Sequence, residues 1–164
     1  AAAGAMSSAG WGALADAVKH ATPAMSGRSV ASILNALGKL EKVADGMSQE
    51  GWEALAIAAQ NTALTMNGQE VTITLNALSK LEAASAVMSP AGWDAVTRAA
   101  QNTAPIMSSQ GVANTLNALS KLEVAAGVMS SVGWDALATA MQSTAIAMNG
   151  QEVTNCLNAL SKLE

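Results

Sequence analysis

His20 and Cys156 carry the side chains of this 164-residue chain that most often act in acid–base or nucleophilic catalysis. The chain has no second histidine or cysteine and no tyrosine, so neither residue has a partner of the usual kind. The two also lie in the first and the last of four sequence repeats, and in a linear stack of repeats they cannot meet. We therefore expect no catalytic residues and a protein that is not an enzyme.

The repeat positions of these two residues indicate structural roles instead. His20 occupies a position at which the other repeats have polar residues, Asn61, Asn102 and Ser143. We interpret it as a surface histidine. Cys156 is the single cysteine, which excludes an internal disulfide, and we interpret it as a small buried apolar residue.

Carboxylates recur singly rather than in pairs. Glu53, Asp94 and Asp135 each follow a tryptophan near the start of a predicted helix, where an acidic residue suits the positive end of the helix dipole. Most of the glycines precede a tryptophan or lie in the first turn of a second helix, and the glycines form no phosphate-binding loop. We expect no metal, no cofactor and no small-molecule substrate.

A more informative set of polar residues recurs in the second half of each repeat, at spacings of four, three and four. On a helix these spacings place all four residues on one face, opposite the leucines. We call the sixteen positions the amide face. They are Arg28, Ser32, Asn35, Lys39, Gln69, Ile73, Asn76, Lys80, Gln110, Asn114, Asn117, Lys121, Gln151, Asn155, Asn158 and Lys162. Parallel helices about 10 Å apart would bring these lines side by side as one polar surface.

Two interpretations of the amide face remain open. In the first it is only the solvated side of the helices, with the asparagines paired across repeats and each lysine offset by the glutamate two residues later. In the second it is a ligand groove, in which recurring Asn and Lys residues hold a repeating backbone and the variable positions 32, 73, 114 and 155 determine specificity. Amides form two-point contacts with bases, and some helical repeats bind one base each. A protein partner would use the same surface.

The helices that must position these residues are predicted from a repeat in the sequence. A methionine recurs every 41 residues without insertion or deletion, at Met6, Met47, Met88 and Met129. The four tryptophans keep the same spacing, and the phrase LNALSKLE occurs at 75–82, 116–123 and 157–164. A gapless period of this length is typical of a solenoid. We predict an all-α fold, a right-handed α-solenoid of four two-helix repeats in the armadillo/HEAT size class.

The repeat boundaries follow from the methionines. The repeats are 6–46, 47–87, 88–128 and 129–164, the last of which stops before its connector. Residues 1–5 align with the connector before a Met-Ser start, so we interpret them as the tail of a preceding repeat. We expect a window of a longer array, with exposed ends that associate end to end.

Capping signals predict where the two helices of a repeat begin. Ser89 is a suitable N-cap with Pro90 at the first helical position of a helix running to about Met107. Asn67 and Glu70 form a capping box at the start of the second helix, and the pair Asn149 and Glu152 repeats it. The predicted inward face of the second helix that begins at Asn67 consists of Val71, Thr74, Leu75, Leu78 and Leu81. Lys80 is expected in its last turn, near the negative end of the dipole, and 83–87 is expected to be a connector.

Composition favours a protein partner over nucleic acid. The net charge is −4, and the chain has no Phe or Tyr. The tryptophans could stack bases, but their helical spacing favours core packing. No stretch approaches the roughly 20 apolar residues that cross a bilayer, so we expect no membrane contact and a soluble intracellular protein. Protein binding is our first prediction, single-stranded RNA binding the second and a structural spacer the third.

The phrase Asn-Ala-Leu-Ser-Lys, with the tryptophan-containing first helix, resembles the repeats of the SKWP family of type III effectors from plant-pathogenic bacteria. The likeness covers the whole chain and includes the second-helix pattern MNGQEVT…LNALSK. The name-giving Trp-Pro is replaced by Leu-Glu at 81–82, 122–123 and 163–164. This resemblance implies a virulence protein that is delivered into host cells and whose repeat region binds protein.

A second likeness is to octotricopeptide repeats, the RNA-binding solenoids of algal organelles. The segment QGVANTLNALSKLE, from Gln110 to Glu123, is similar to them, with Asn117 where those repeats usually have tryptophan. The period of this chain is a few residues longer than theirs. This resemblance implies RNA recognition in a chloroplast or mitochondrion.

Overall fold

The computed structural model describes residues 7–164, without the side chains of Glu41 and Lys42. Every element of regular secondary structure in this part of the chain is helical. The predicted all-α class is confirmed for these residues. Residues 1–5, predicted to be the tail of a preceding repeat, lie outside them, as does Met6.

Three kinds of helix alternate along the chain. The long first helices are α1 (Ser8–Ala21), α4 (Gln49–Thr62), α7 (Pro90–Thr103) and α10 (Ser131–Thr144). The second helices are α2 (Gly27–Leu37), α5 (Gly68–Leu78), α8 (Ser109–Leu119) and α11 (Gly150–Leu163). Short third helices are α3 (Glu41–Gly46), α6 (Glu82–Ala86) and α9 (Glu123–Val128). The connector predicted at 83–87 is therefore largely helical, and a complete sequence repeat holds three helices rather than two.

The predicted caps are present. The Ser89 hydroxyl accepts the N–H of Gly92 at 3.0 Å, and Pro90 is the first residue of α7. At the start of α5, Asn67 Oδ1 accepts the N–H of Glu70 at 3.0 Å, and Glu70 Oε2 accepts the N–H of Asn67 at 3.0 Å. The same box forms at Asn149 and Glu152. Side-chain oxygens thus satisfy N–H groups that have no partner within the helix.

The first helix of the third repeat ends at Thr103 rather than near Met107. A 3₁₀ turn, Ala104–Ile106, follows it. Pro105 has no N–H to continue the α-helix. The end is nevertheless a property of the repeat, because α4 and α10 end at the equivalent Thr62 and Thr144 without a proline. The 3₁₀ turns Thr22–Ala24, Ala63–Thr65 and Ala145–Ala147 occupy the same place in the other repeats.

The lysine that was expected in the last turn of the second helix lies beyond it. α5 stops two residues before Lys80, and Lys39 and Lys121 stand in the same turn of their own repeats. Leu81 leaves the helical region, with φ −102° and ψ 83°, as the chain bends into α6. The prediction for Lys80 was wrong because the third helix requires this bend. Lys162 is within the last turn of α11.

The core lies between a row of first helices and a row of second helices. In the first row α1 contacts α4, α4 contacts α7 and α7 contacts α10; in the second, α2 contacts α5, α5 contacts α8 and α8 contacts α11. The predicted inward residues Val71, Thr74, Leu75, Leu78 and Leu81 are all buried. The inward face of α5 is therefore confirmed, and it leaves the opposite face toward solvent.

Tryptophan side chains fill this core, as predicted. Trp11, Trp52 and Trp93 are buried, and Trp134 is half-buried against the same cluster of apolar side chains. Trp11, Trp52 and Trp93 are therefore covered and offer no open surface on which bases could stack. Trp134 keeps part of its side chain open, in the wall of a depression beside α11.

Candidate binding face on the second helices

The amide face lies on the outside of α2, α5, α8 and α11. The exposed members are Arg28, Ser32, Lys39, Gln69, Lys80, Gln110, Lys121, Gln151, Asn158 and Lys162. The half-buried members are Asn35, Ile73, Asn76, Asn114, Asn117 and Asn155. None of the sixteen is fully buried. Because successive second helices contact one another, the four lines of residues are neighbours, which is the arrangement that a shared ligand requires.

The asparagines of this face are not paired across repeats. Among the described side chains, which exclude those of Glu41 and Lys42, no side-chain hydrogen bond joins Asn35, Asn76, Asn117 or Asn158 to another protein group. Their neighbours Ser79, Ser120 and Ser161 bond instead to the main-chain oxygens of Asn76, Asn117 and Asn158. The recurring amides thus keep both their donors and their acceptors for water or a ligand.

Lys80, Lys121 and Lys162 are not held by direct ion pairs to described side chains. Within the described side chains, the ion pairs join Lys19 to Glu50 and Arg98 to Asp94, both on first helices. Neither involves Lys80, Lys121 or Lys162 with the glutamate two residues later. The solvated-face interpretation assumed such offsets, and the structure contains none at these three lysines. The glutamate after Lys39 is Glu41, whose side chain is outside the described ones.

A groove of about 610 Å³ runs between α5 and α8. It collects four members of the amide face, Gln69, Ile73, Gln110 and Asn114. The rest of its wall is Asn67, Gly68, Thr72, Ile106, Met107, Ser108 and Gly111. We call this the α5/α8 groove. Its amides provide hydrogen-bonding groups and its isoleucines provide apolar contact, which is the mixture that orients a ligand in a shallow site.

At the floor of the groove, Thr72 makes close contacts within α5 and with α8. Thr72 Oγ1 donates to the main-chain oxygen of Gly68 at 2.8 Å and lies 3.1 Å from Thr115 Oγ1 on α8. It is also 3.5 Å from the main-chain oxygen of Gly111. The contacts to Thr115 and Gly111 join the two helices beneath the groove.

The third and fourth residues of each line of the amide face, the recurring asparagine and lysine, lie outside this groove. Lys80 lines a separate depression of about 450 Å³ together with Asp45 and Glu82. Lys162 lines another, of about 920 Å³, with Glu123 and Glu164. The structure therefore groups the glutamine and variable positions in one groove and places these lysines among acidic side chains.

Two residues of the groove were missed in the sequence. Thr72 aligns with Ala31, Ala113 and Thr154, so a polar residue recurs there in only one other repeat, and Ile106 aligns with Ala24, Thr65 and Ala147. Ile106 is exposed on the 3₁₀ turn after α7. The signal that could have found it is the repeat itself, because the equivalent Thr65 and Ala147 are also exposed on their 3₁₀ turns.

The residues first considered for catalysis lie elsewhere. His20 is exposed, as predicted, with Nδ1 2.7 Å from the main-chain oxygen of Asp16. Cys156 is buried, as predicted, and its burial, with a smaller contribution from the charge of Glu152, raises the pKa of the thiol. In the described part of the chain, no three His, Cys, Asp or Glu residues are grouped to hold a metal ion.

No helix within residues 7–164 combines the length and the apolarity needed to cross a bilayer.

Comparison of the chain with models of known protein families, with curated proteins and with solved structures gives no match. The structure's own geometry is therefore the basis for the function proposed next.

Proposed function

We propose that the protein is a non-enzymatic scaffold that binds an extended segment of another protein along the amide face. In this proposal the helix rows form a right-handed α-solenoid superhelix of four repeats, and the ligand crosses the second helices in order. The observation that supports it most is the line of recurring asparagines without protein partners, next to a groove of amides and isoleucines.

The chemistry of the face suits a peptide backbone. A primary amide offers a donor and an acceptor in one plane, and a peptide bond offers the complementary pair. Second helices lie about 10 Å apart, and an extended chain advances about 3.3 Å per residue. One asparagine would thus meet every third residue or so of the ligand, and the variable positions 32, 73, 114 and 155 would contact its side chains.

The charges and aromatic residues favour protein over RNA. Single-stranded RNA is usually held by basic residues along its phosphates and by aromatic side chains against its bases. Lys80 and Lys162 lie beside acidic residues, and Trp52 and Trp93 are buried. The net charge of −4 also opposes a polyanion.

The likeness to SKWP repeats supports the same function, and by it we propose that the ligand is a host-cell protein that a type III effector reaches after delivery. The octotricopeptide likeness would instead place an RNA ligand in an organelle. We rank it second because the site chemistry just described does not favour nucleic acid.

Selection of random linear peptides displayed on phage tests this proposal. Wild-type protein should enrich related peptides, and N76A/N117A should bind them roughly 30-fold more weakly, because each lost hydrogen-bonding amide costs about 1 kcal/mol. The matched control is N61A/N102A, which removes the same residue types from exposed positions on α4 and α7 and should bind as wild type. No enrichment, or equal binding by N76A/N117A, would overturn the proposal.

The RNA alternative has its own measurement, filter binding of random single-stranded RNA at low and moderate salt. We expect no retention at either salt concentration. Retention at low salt that is lost when Lys80 and Lys121 are replaced by alanine would favour the RNA ligand over the peptide.

A further inference from the structure

Two isoleucines meet in the wall of the α5/α8 groove. Ile73 belongs to α5, and Ile106 ends the 3₁₀ turn before α8. The corresponding positions of the two neighbouring junctions are Ser32 and Thr65 between α2 and α5, and Asn114 and Ala147 between α8 and α11. The α5/α8 junction therefore differs in chemistry from its neighbours, although the repeats align without gaps.

The turn before α8 holds Ile106 out in solvent. Its side chain is 77% exposed, although isoleucine is among the residues most often fully buried. The main-chain N–H of Met107 donates to the oxygen of Ala104 at 3.1 Å and closes the turn, and the side chain of Met107 is buried. A ligand that covers Ile106 would remove from water an apolar surface that the fold leaves exposed, which favours binding.

The floor beneath the isoleucines has no polar group in need of a partner. Thr72 Oγ1 donates to the main-chain oxygen of Gly68 and lies 3.1 Å from Thr115 Oγ1. Both threonines are buried. An apolar group of a ligand can therefore cover the floor without leaving a buried hydroxyl unsatisfied.

The walls of the groove are polar but uncharged. None of the described residues that line it carries a formal charge, so an ionised ligand group would lose water there without meeting an opposite charge. The side-chain amides of Gln69, Gln110 and Asn114 have no hydrogen-bond partner in the described part of the chain and can bind peptide groups. The volume of about 610 Å³ lies within the range of roughly 300–1,000 Å³ that buries a drug-sized ligand, which is enough for a short peptide segment.

We propose that the α5/α8 groove binds one aliphatic side chain of the ligand, of the size of leucine or isoleucine, against Ile73 and Ile106. The inference rests on the proposed function, because the amides of the groove bind the peptide groups on either side of that residue. Since the neighbouring junctions lack the isoleucine pair, this one side chain fixes the register of the peptide along the second helices.

Peptides selected on phage test this inference through their sequences. Those that the wild type enriches should share a leucine, isoleucine, valine or methionine at one fixed position. The variant I73N/I106A gives this groove the residues found between α8 and α11, and it should enrich peptides without that shared residue. I57A is the matched control, because Ile57 is a 58% exposed isoleucine on α4 outside the groove. Its selected peptides should match those of the wild type.

A double-mutant cycle, with affinities measured by calorimetry, tests whether the two partners touch. Replacing the shared aliphatic residue of a selected peptide by alanine should weaken binding to the wild type roughly tenfold. The same replacement should have no effect on binding to I73N/I106A. Circular dichroism checks the helix content of the double variant. I106A alone, which changes a side chain outside the core, gives a second cycle that should show the same coupling.

The outcomes separate this inference from the proposed function. Selected peptides that bind N76A/N117A more weakly but share no aliphatic residue would overturn this inference alone. So would an alanine replacement that costs the wild type and both isoleucine variants the same affinity. No enrichment of peptides by the wild type would overturn the proposed function and this inference with it.

Discussion

At the scale of single residues, one buried position shows how the repeats tolerate a change of chemistry. Thr74 and Thr115 place their hydroxyls 3.6 Å and 3.8 Å from the sulfurs of Met66 and Met107. In the fourth repeat, Cys156 occupies this position, with Sγ 4.0 Å from Sδ of Met148. The cysteine is thus a core residue in a threonine position, and its raised pKa keeps it a protonated, weakly reactive thiol at neutral pH.

The variant C156T should therefore be nearly neutral. It restores the residue found in the second and third repeats, and its hydroxyl can donate to Met148 as those threonines do. We expect the free energy of unfolding, measured by urea denaturation, to change by less than about 1 kcal/mol. A loss of about 2 kcal/mol or more would show that the fourth repeat does not share the internal environment of the others.

At the scale of elements, α7 and α10 are each joined to the preceding first helix through the N-cap serine. Ser130 Oγ accepts the N–H of Gly133 at 3.0 Å and donates to Gln101 Oε1 at 3.0 Å. One hydroxyl thus starts α10 and links it to α7. Gln142 is the equivalent glutamine on α10 and makes no side-chain hydrogen bond within residues 7–164.

Comparison of Q101A with Q142A isolates this link. Both changes remove the same side chain from the same position of a first helix, but only Gln101 has a partner in the described chain. We expect Q101A to lower the free energy of unfolding by about 0.5–1.5 kcal/mol and Q142A to leave it unchanged. Equal losses in chemical denaturation would mean that the hydrogen bond does not contribute to stability.

The start of α2 depends on close approach to the next repeat. A Cβ added at Gly27 would lie 2.7 Å from Cγ of Met66 in the next repeat, nearer than carbon atoms normally come. A Cβ added at Gly150, the equivalent residue of α11, would meet no atom of the described chain within 4 Å. Glycine is therefore required by packing at the first position and not at the second.

The pair G27A and G150A tests that conclusion. G27A should lower the free energy of unfolding by about 1–3 kcal/mol, the usual cost of overpacking, while G150A should not lower it. Thermal unfolding followed by circular dichroism gives both values. If G27A were as stable as wild type, the spacing between α2 and the next repeat would be looser than the structure indicates.

At the scale of the whole molecule, the sequence predicts the recurring long helices and their caps better than the bends and short helices between them. The helical class, the caps at Ser89 and Asn67 and the inward residues of α5 all follow from periodicity and capping chemistry. The third helix was missed because α6 (Glu82–Ala86) is too short to show a period, and with it the position of Lys80 was missed. Short helices are decided by tertiary contacts, which no local pattern contains.

The candidate site was predictable as a face but not as a groove. Spacing alone places Gln110, Asn114 and Asn117 on one outward line, and the structure shows them exposed or half-buried. The enclosure by Thr72 and Ile106 depends on how α8 and its 3₁₀ turn pack beside α5. Such contacts between residues far apart in sequence need the fold before they can be identified.

The most direct test of the central claim is an NMR titration of the asparagine side-chain amides with a peptide from the selection. We predict chemical-shift changes at Asn35, Asn76 and Asn117, in consecutive repeats, as the peptide extends across the second helices. Changes confined to Asn61 and Asn102 on the first helices, with the amide face unaffected, would contradict the account.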